Sequence, residues 1–202
     1  MQLPVIVIDT ETTGLMNHAG ARVIEMALVL LMPDGSKPFA LSTLVKPSDP
    51  DDTPWHHGHV RETMAIHGIP REHILLAPTP RRVDDLLDYV YRHVISTYGA
   101  DWPAELLTWT SWRTEFESEM LSRSFPLVSN WQADTCIWKL ARAACRQADL
   151  TEPYRPSLKQ TARALGLNAD RNAHRALPDA LLAADVLHAL INRDPTTPLE
   201  VA

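Results

Sequence analysis

Val5-Ile6-Val7-Ile8-Asp9-Thr10-Glu11-Thr12-Thr13-Gly14 is the segment from which the rest of the architecture follows. Four β-branched apolar residues in a row read as a strand covered on both faces, and that strand ends at two carboxylates one residue apart. Side chains alternate along a strand, so Asp9 and Glu11 leave it on one side while Thr10 points away. Two acids held side by side at the end of a buried strand repel each other. A divalent cation with oxygen ligands, magnesium or manganese, is the simplest way to cancel that charge. On these ten residues alone, a strand ending in a polar turn with Glu11 in water explains the pattern equally well. Thr12, Thr13 and Gly14 give a turn whose backbone can come close to a ligand.

The chain has 202 residues, 45% hydrophobic and 22% charged, enough for one well-packed domain over 1–192 and a loose tail over 193–202 containing Pro195 and Pro198. No basic region precedes the first apolar run, which reaches a carboxylate too soon for a signal peptide or a membrane span. A soluble protein of the reducing cytoplasm, with no membrane partner, is expected. Cys136 and Cys145 are the only cysteines. Nine residues apart in one expected helix, they lie about 13 Å from each other, too far for a disulfide. The net charge of −6 argues against a broad basic face that coats nucleic acid. It leaves room for a nucleic-acid enzyme whose clustered acids are offset by bound cations.

Val23 to Leu31 reads as a second strand, Pro33-Asp34-Gly35 as a turn, and Phe39 to Val45 as a third strand folded back as a hairpin. Trp55-His56-His57-Gly58-His59 invites a metal reading, but no carboxylate or cysteine stands at ligand spacing, so a surface loop is expected. A short helix over 60–66 should end at Gly68, with Pro70 beyond it. Thr79 and Pro80 open a helix whose stripe is Val83, Leu86, Leu87, Val90 and Val94, with Asp84, Asp85 and Asp88 solvated near its start. Leu106 to Thr110 reads as a fourth strand. A helix follows, with Trp112, Phe116 and Met120 at four-residue steps. Trp131 to Thr135 reads as a fifth strand, Ile137 to Ala148 as a helix, and Ser157 to Leu165 as another, stopped by Gly166.

The second chemically suggestive segment is His174-Arg175-Ala176-Leu177-Pro178-Asp179-Ala180. Pro178 suits the first turn of a helix, which places Asp179 near the N-terminus of a helix running on through Leu190, with His174 on the loop before it. A histidine on a loop can move while a carboxylate on a helix is held, a division that suits a general base beside a fixed metal ligand. Taken alone, a surface histidine and an acid favouring the helix dipole would explain it as well.

Asp9 to Gly14, His67-Gly68-Ile69 and His174 to Ala180 together, in this order, resemble the DnaQ-like exonucleases of the DEDDh group, over nearly the whole chain from Val5 to Leu190. The resemblance implies an α/β, RNase H-like fold: a five-stranded mixed sheet, three antiparallel strands plus two parallel ones, flanked by helices. One motif departs from the family pattern. Where the family has asparagine and, four residues on, aspartate, this chain has Arg113 and Glu117 when Phe116 and Met120 are aligned. A register shifted by two would put Glu115 there instead.

The resemblance also implies a mechanism. Asp9, Glu11, Glu117 and Asp179 would bind two Mg²⁺ or Mn²⁺ ions, with His174 as general base. Thr12, Thr13, Gly14, Leu15 and Met16 would contact the 3′-terminal nucleotide, although ordinary packing explains Leu15 and Met16 as readily. The expected activity is 3′–5′ exonucleolytic release of 5′-mononucleotides from single-stranded DNA or RNA. A polymerase or another replication or repair protein is a candidate partner. Two other classes stay open: a weakened relative that binds nucleic acid or a polymerase without cutting, and a small-nucleotide phosphohydrolase, which would need a phosphate-gripping loop that this sequence lacks. Among the tryptophans, Trp55 in its loop is a better base-stacking candidate than Trp112 or Trp138, whose helical positions read as core.

Overall fold

The computed structural model describes residues 4–18, 20–48, 55, 57–98, 107–145, 155–169, 174–196 and 199. β1 (Val5–Thr12) lies inside a four-stranded sheet with β2 (Val23–Leu31), β3 (Phe39–Leu44) and β4 (Thr108–Thr110), in the order β3-β2-β1-β4. β1 pairs antiparallel with β2, Glu11 opposite Glu25, and parallel with β4, Val7 beside Thr110. The register shifts between Glu11 and Thr12, whose partners are Glu25 and Val23, so Ile24 is an extra residue on β2.

Alternation along β1 and β2 sends apolar side chains to both faces. Ile6, Ile8, Met26, Leu28 and Leu30 join one core with Val83 and Leu87 of α3 (Pro80–Tyr98) and Met120 and Leu121 of α4 (Thr114–Ser124). Val5, Val7, Ala27, Val29 and Leu31 join the other with α5 (Ile137–Cys145), α6 (Leu158–Ala164) and α7 (Ala176–Asn192). A third, small cluster of Ile24, Ile69 and Ile74 sits under α1 (Gly58–His67) and α2 (Arg71–Leu76). Gly68 closes α1 in the left-handed conformation, φ 67°, its N–H donating to the Met64 carbonyl at 2.9 Å. Ser157 caps α6 in a capping box with Gln160. Among the described residues no helix is long and apolar enough to cross a membrane.

The expected fifth strand over 131–135 is reduced to one parallel bridge, Trp109 to Ala133. Trp109 N–H donates to Gln132 O at 2.9 Å and Asp134 N–H to Trp109 O at 2.6 Å. There the ladder ends, because its next donors turn to side chains: Ser111 N–H to the Thr114 hydroxyl and Thr135 N–H to the Asp134 carboxylate. α5 then begins at once, with Ile137 N–H on Ser111 O and Trp138 N–H on Trp112 O. Among the described residues the sheet is therefore four-stranded and mixed, not five-stranded.

Other expectations shift as well. Pro70 does not only end one helix; it precedes α2 in extended conformation. Leu86 is exposed rather than part of the α3 stripe, and Val94 and Gly99 lie outside the described side chains. Cys136 and Cys145 are free and buried. Of the segment read as a tail, Leu199 is buried and its N–H donates to Ala144 O at 3.3 Å.

Asp84 is buried, not solvated, and its two oxygens accept the N–H groups of Leu127 (3.0 Å) and Val128 (3.1 Å). These are charge-assisted bonds, and they pin the 3₁₀ turn at Val128–Asn130 to α3. Asp84→Ala should lower stability by about 2–3 kcal/mol in urea unfolding, because both amides lose their acceptor. A change below about 0.5 kcal/mol would show that water replaces the carboxylate.

Candidate active site

α7 packs over β1 and β2 through Ala180, Ala183, Ala184 and Leu187. These mostly small side chains let the helix approach the sheet closely, and its first turn carries Asp179 to the end of β1. Asp9, Glu11 and Asp179 each place one carboxylate oxygen within 4.8 Å of the others, and all three are half-buried. They are the one such group of potential metal ligands among the described residues. At 4.8 Å and an effective dielectric of about 20, each pair of full charges costs roughly 3.5 kcal/mol. Three pairs together rival the folding free energy of a whole domain, so the charge must be neutralised by protons or by a cation.

The titration of the group reflects that conflict. Burial first, then Glu117, Glu11, Asp179 and Glu25, hold Asp9 well above the usual carboxylate range. Burial and the charges of Asp179 and Glu25 push Glu11 up to about 8, with Arg175 opposing. Asp179 is raised by burial, against the hydrogen bond it accepts from the His174 backbone. An all-oxygen donor set of this kind, short of positive charge, matches a hard divalent cation such as magnesium or manganese.

His174 sits just ahead of α7, exposed, with φ 62°, the left-handed region that histidine visits more readily than most residues. Its N–H donates to Asp179 Oδ2 at 2.9 Å, which ties the imidazole-bearing residue to the acid it accompanies in sequence.

Glu117 comes from α4 and is 4% exposed. It is not part of the 4.8 Å group. Its Oε2 accepts the Thr10 hydroxyl at 2.6 Å, and among the charges acting on Asp9 its effect is the largest. Burial pushes Glu117 up to about 8, the Thr10 bond opposing and Glu11 adding. Glu115 points to solvent and pairs with Lys139 at 2.6 Å, while Glu119 pairs with Arg123 at 2.9 Å. Of the two registers open in the sequence, the one with Glu117 therefore faces the cluster.

The turn after β1 is self-contained. Thr12 and Thr13 are buried; the Thr12 hydroxyl donates to Gly14 O at 2.7 Å, and the Thr13 hydroxyl accepts Arg22 N–H at 3.0 Å. A Cβ at Gly14 would lie 2.8 Å from His18 Nδ1 and 3.3 Å from His59 Cδ2, so a side chain there would have to displace the His18 ring. The His18 and His59 rings pack with centroids 4.0 Å apart, so His59 braces this turn; His56 lies outside the described residues. Leu15 and Met16 project outward, 57% and 43% exposed. Arg123 of α4 donates to Met16 O (2.8 Å) and His18 O (2.9 Å), fastening the turn to the helix that carries Glu117.

Sequence reasoning gave no role to three groups here. Glu25, 3% exposed and directly across from Glu11, accepts Arg175 Nε (2.9 Å), Arg175 Nη2 (2.7 Å) and the Ala176 N–H (3.0 Å). This clamp seats the start of α7, and with it Asp179, while the nearest guanidinium is turned to Glu25. A single acid inside the apolar run Val23–Leu31 was the available signal. Arg123 is the second, with no signal beyond an ordinary helix-surface arginine. His67 is the third: its Nδ1 accepts Ile69 N–H at 3.1 Å, its Nε2 is buried without a partner, and burial brings its pKa down to about 4.

Residues 6–187 match the RNase_T family model, described as exonuclease. The chain belongs to the RNase_T exonuclease family. The DnaQ-like resemblance carried by the motifs is thereby borne out. The uncharacterized exonuclease CP81 of Escherichia phage 186 is 30% identical over 189 residues, 92% of this chain and 87% of the relative. Exonuclease DPD1, chloroplastic/mitochondrial, of Arabidopsis thaliana is 30% identical over 191 residues, 93% of this chain and 56% of that protein. Similar solved folds include the zinc-bound E. coli ExoI–ssDNA complex (TM-score 0.69, 17% identity, 97% of this chain and 42% of that one). Cell-death related nuclease 4 follows at TM-score 0.64 and 17% identity, covering 94% of this chain and 64% of that one. A 3′-exonuclease solved in recognition of a histone mRNA stem-loop gives TM-score 0.66 and 15% identity, covering 93% and 81%. The chain thus spans well under two thirds of some of these proteins.

Two measurements check the site's electrostatics. Glu11 and Glu117 stay protonated in the fold up to about pH 8 but ionise near 4.5 once unfolded, so the unfolded chain binds fewer protons between those values. Without metal, the Tm should be highest below about pH 4.5 as far as these two groups decide it, and fall as pH rises toward 8. Added Mn²⁺ should raise Tm most at the alkaline end; a metal-free Tm unchanged across that window would contradict the placement. Glu25→Ala leaves Arg175 and the Ala176 amide without their acceptor and should cost about 2–3 kcal/mol in urea unfolding.

Proposed function

We propose that the chain is a metal-dependent 3′–5′ exonuclease that releases 5′-mononucleotides from the 3′ end of single-stranded DNA or RNA. The observation that supports it most is the meeting of Asp9, Glu11 and Asp179, with His174 fastened to Asp179, in a chain of an exonuclease family. The E. coli ExoI–ssDNA complex and the 3′-exonuclease solved in recognition of a histone mRNA stem-loop 3′ end lend the substrate class.

Asp9, Glu11 and Asp179 would hold one Mg²⁺ or Mn²⁺, and Asp9 with Glu117 a second. Such ions, when bound, lower the pKa of an attacking water and stabilise charge on the departing 3′ oxygen. His174, exposed just ahead of α7, would take the proton of that water on an imidazole nitrogen. Leu15 and Met16 offer the terminal base an apolar surface, with Thr12, Thr13 and Gly14 shaping the turn beneath. Glu25 and Arg175 keep Asp179 in register with β1.

A second class, binding without cleavage, is favoured by one observation: Glu117 stands outside the close triad, held by Thr10. An oligonucleotide labelled at its 3′ end separates the two. In Mg²⁺ or Mn²⁺ the parent chain should release the label as mononucleotide from the first turnover, whereas a 5′ label should appear on a ladder of shortened strands. Asp9→Ala and His174→Ala should each lower the rate at least about 10²-fold, the scale of a missing general base. Glu117→Ala should lower it comparably and Glu115→Ala leave it alone. Retention of the oligonucleotide with no label released would establish the binding class instead. Full activity in Asp9→Ala would refute the site.

A further inference from the structure

Two cations, Arg113 and Arg142, stand at the edge of the site with no ion pair to an acid among the described residues. Arg113 immediately precedes α4, and its carbonyl accepts the Glu117 N–H at 3.1 Å, so it lies one helical turn from that carboxylate. Its guanidinium carbon is 4.9 Å from the centre of the Trp138 ring, and that of Arg142 is 5.3 Å from the same centre. Among the described residues neither guanidinium has a carboxylate within ion-pair distance; the nearby Glu115 is taken by Lys139. Trp138 is half-buried and Arg113 is exposed. Trp138 and Arg142 are four apart on α5, which is ordinary helix spacing. Arg113 is not a local neighbour: it arrives from another element and brings a second positive charge to one indole, in a chain of net charge −6.

The topology puts this group beside the carboxylates. β1 and β4 run parallel with Val7 next to Thr110, so the residues after Thr110 leave the sheet at the end where Asp9 and Glu11 leave β1. The start of α5 is tied to the same end through Ile137 and Trp138 N–H on Ser111 and Trp112 carbonyls. The crevice outside the carboxyl ends of neighbouring parallel strands is where α/β sheets bind ligands. The other tryptophan considered for stacking is differently placed: Trp55 packs on the Ile24, Ile69 and Ile74 cluster, with Arg71 over its ring at 5.2 Å.

We propose that Arg113 and Arg142, held over the Trp138 indole, form a binding surface for the strand upstream of the cleaved nucleotide, the guanidiniums taking backbone phosphate. The proposal rests on the exonuclease reading, in which a polyanion must approach four clustered carboxylates. Cations beside the cluster offset that repulsion, and contacts to phosphate carry no base information, as binding without sequence preference requires. The ligand chemistry is a single-stranded polynucleotide of several residues, DNA or RNA.

The test is equilibrium binding of fluorescein-labelled dT8, rU8 and dT2 in calcium, with cleavage of unlabelled dT8 in Mn²⁺ followed in parallel. Trp138→Ala and the Arg113→Gln, Arg142→Gln double variant should each weaken dT8 binding about tenfold. dT2, too short to reach, should be affected much less. The double variant should also flatten the dependence of log Kd on log salt by about 0.7 for each phosphate that no longer meets a guanidinium. Trp138→Phe should restore most of the affinity, which a packing defect in Trp138→Ala would not predict for dT8 alone. Equal weakening for dT8 and rU8 assigns the surface to groups the two share, and weakening confined to one identifies the strand the site serves.

Unchanged dT8 affinity and salt slope in the double variant would overturn the proposal even if the parent cleaves. Weakened binding in the variants of a parent that binds but never cleaves would uphold the surface and remove the exonuclease reading. A parent that neither binds nor cleaves removes both.

Discussion

Like charge confined to one place is the constraint around which this molecule is built. Asp9 and Glu11 share a side of β1, Asp179 is brought to them by α7, Glu117 approaches from α4, and Glu25 faces Glu11 across the sheet. Left to itself such a group would drive its elements apart. Each acid not in the triad is therefore given its own partner: Arg175 and the Ala176 amide for Glu25, the Thr10 hydroxyl for Glu117. Among the described residues the triad has no ion-pair partner of its own, Arg175 acting on Glu11 only from its place on Glu25, and that shortage is the chemical character of the site.

β1 can organise this because its two faces serve different layers. Val5 and Val7 bind the helices that include α7, and Asp9 and Glu11 continue that face. Ile6 and Ile8 bind the layer of α3 and α4, and Thr10 continues that one. The strand thus meets Asp179 on one side and Glu117 on the other with no loop in between. Both helices are positioned by apolar burial some distance from the charges, so the packing energy that holds the layers is what opposes the electrostatic repulsion.

Much of this was legible in the sequence wherever a periodic pattern ran long. The apolar runs of β1 and β2, the Gly68 stop, the Ser157 cap and the helix starting near Pro178 each state their structure locally. The fifth strand did not, because a five-residue apolar and polar mixture says nothing of whether its amides find a backbone or a side chain; Ser111 and Thr135 chose side chains. Asp84 misled for a related reason, since its partners are backbone groups 43 and 44 residues away. Strand alternation paired Asp9 with Glu11, and the motifs alone brought Asp179 and Glu117 to them, Glu117 as one of two registers. The Glu25 clamp needed the pairing register of two strands and the approach of a third element, none of which is written in any one segment.

Arg123 joins the turn bearing Leu15 and Met16 to the body of α4, two turns of helix beyond Glu117. The outward-facing apolar tip and the buried acid are thus attached to one helix by different fastenings, so losing the Arg123 guanidinium would loosen the surface turn while leaving the interior carboxylate on its Thr10 tether.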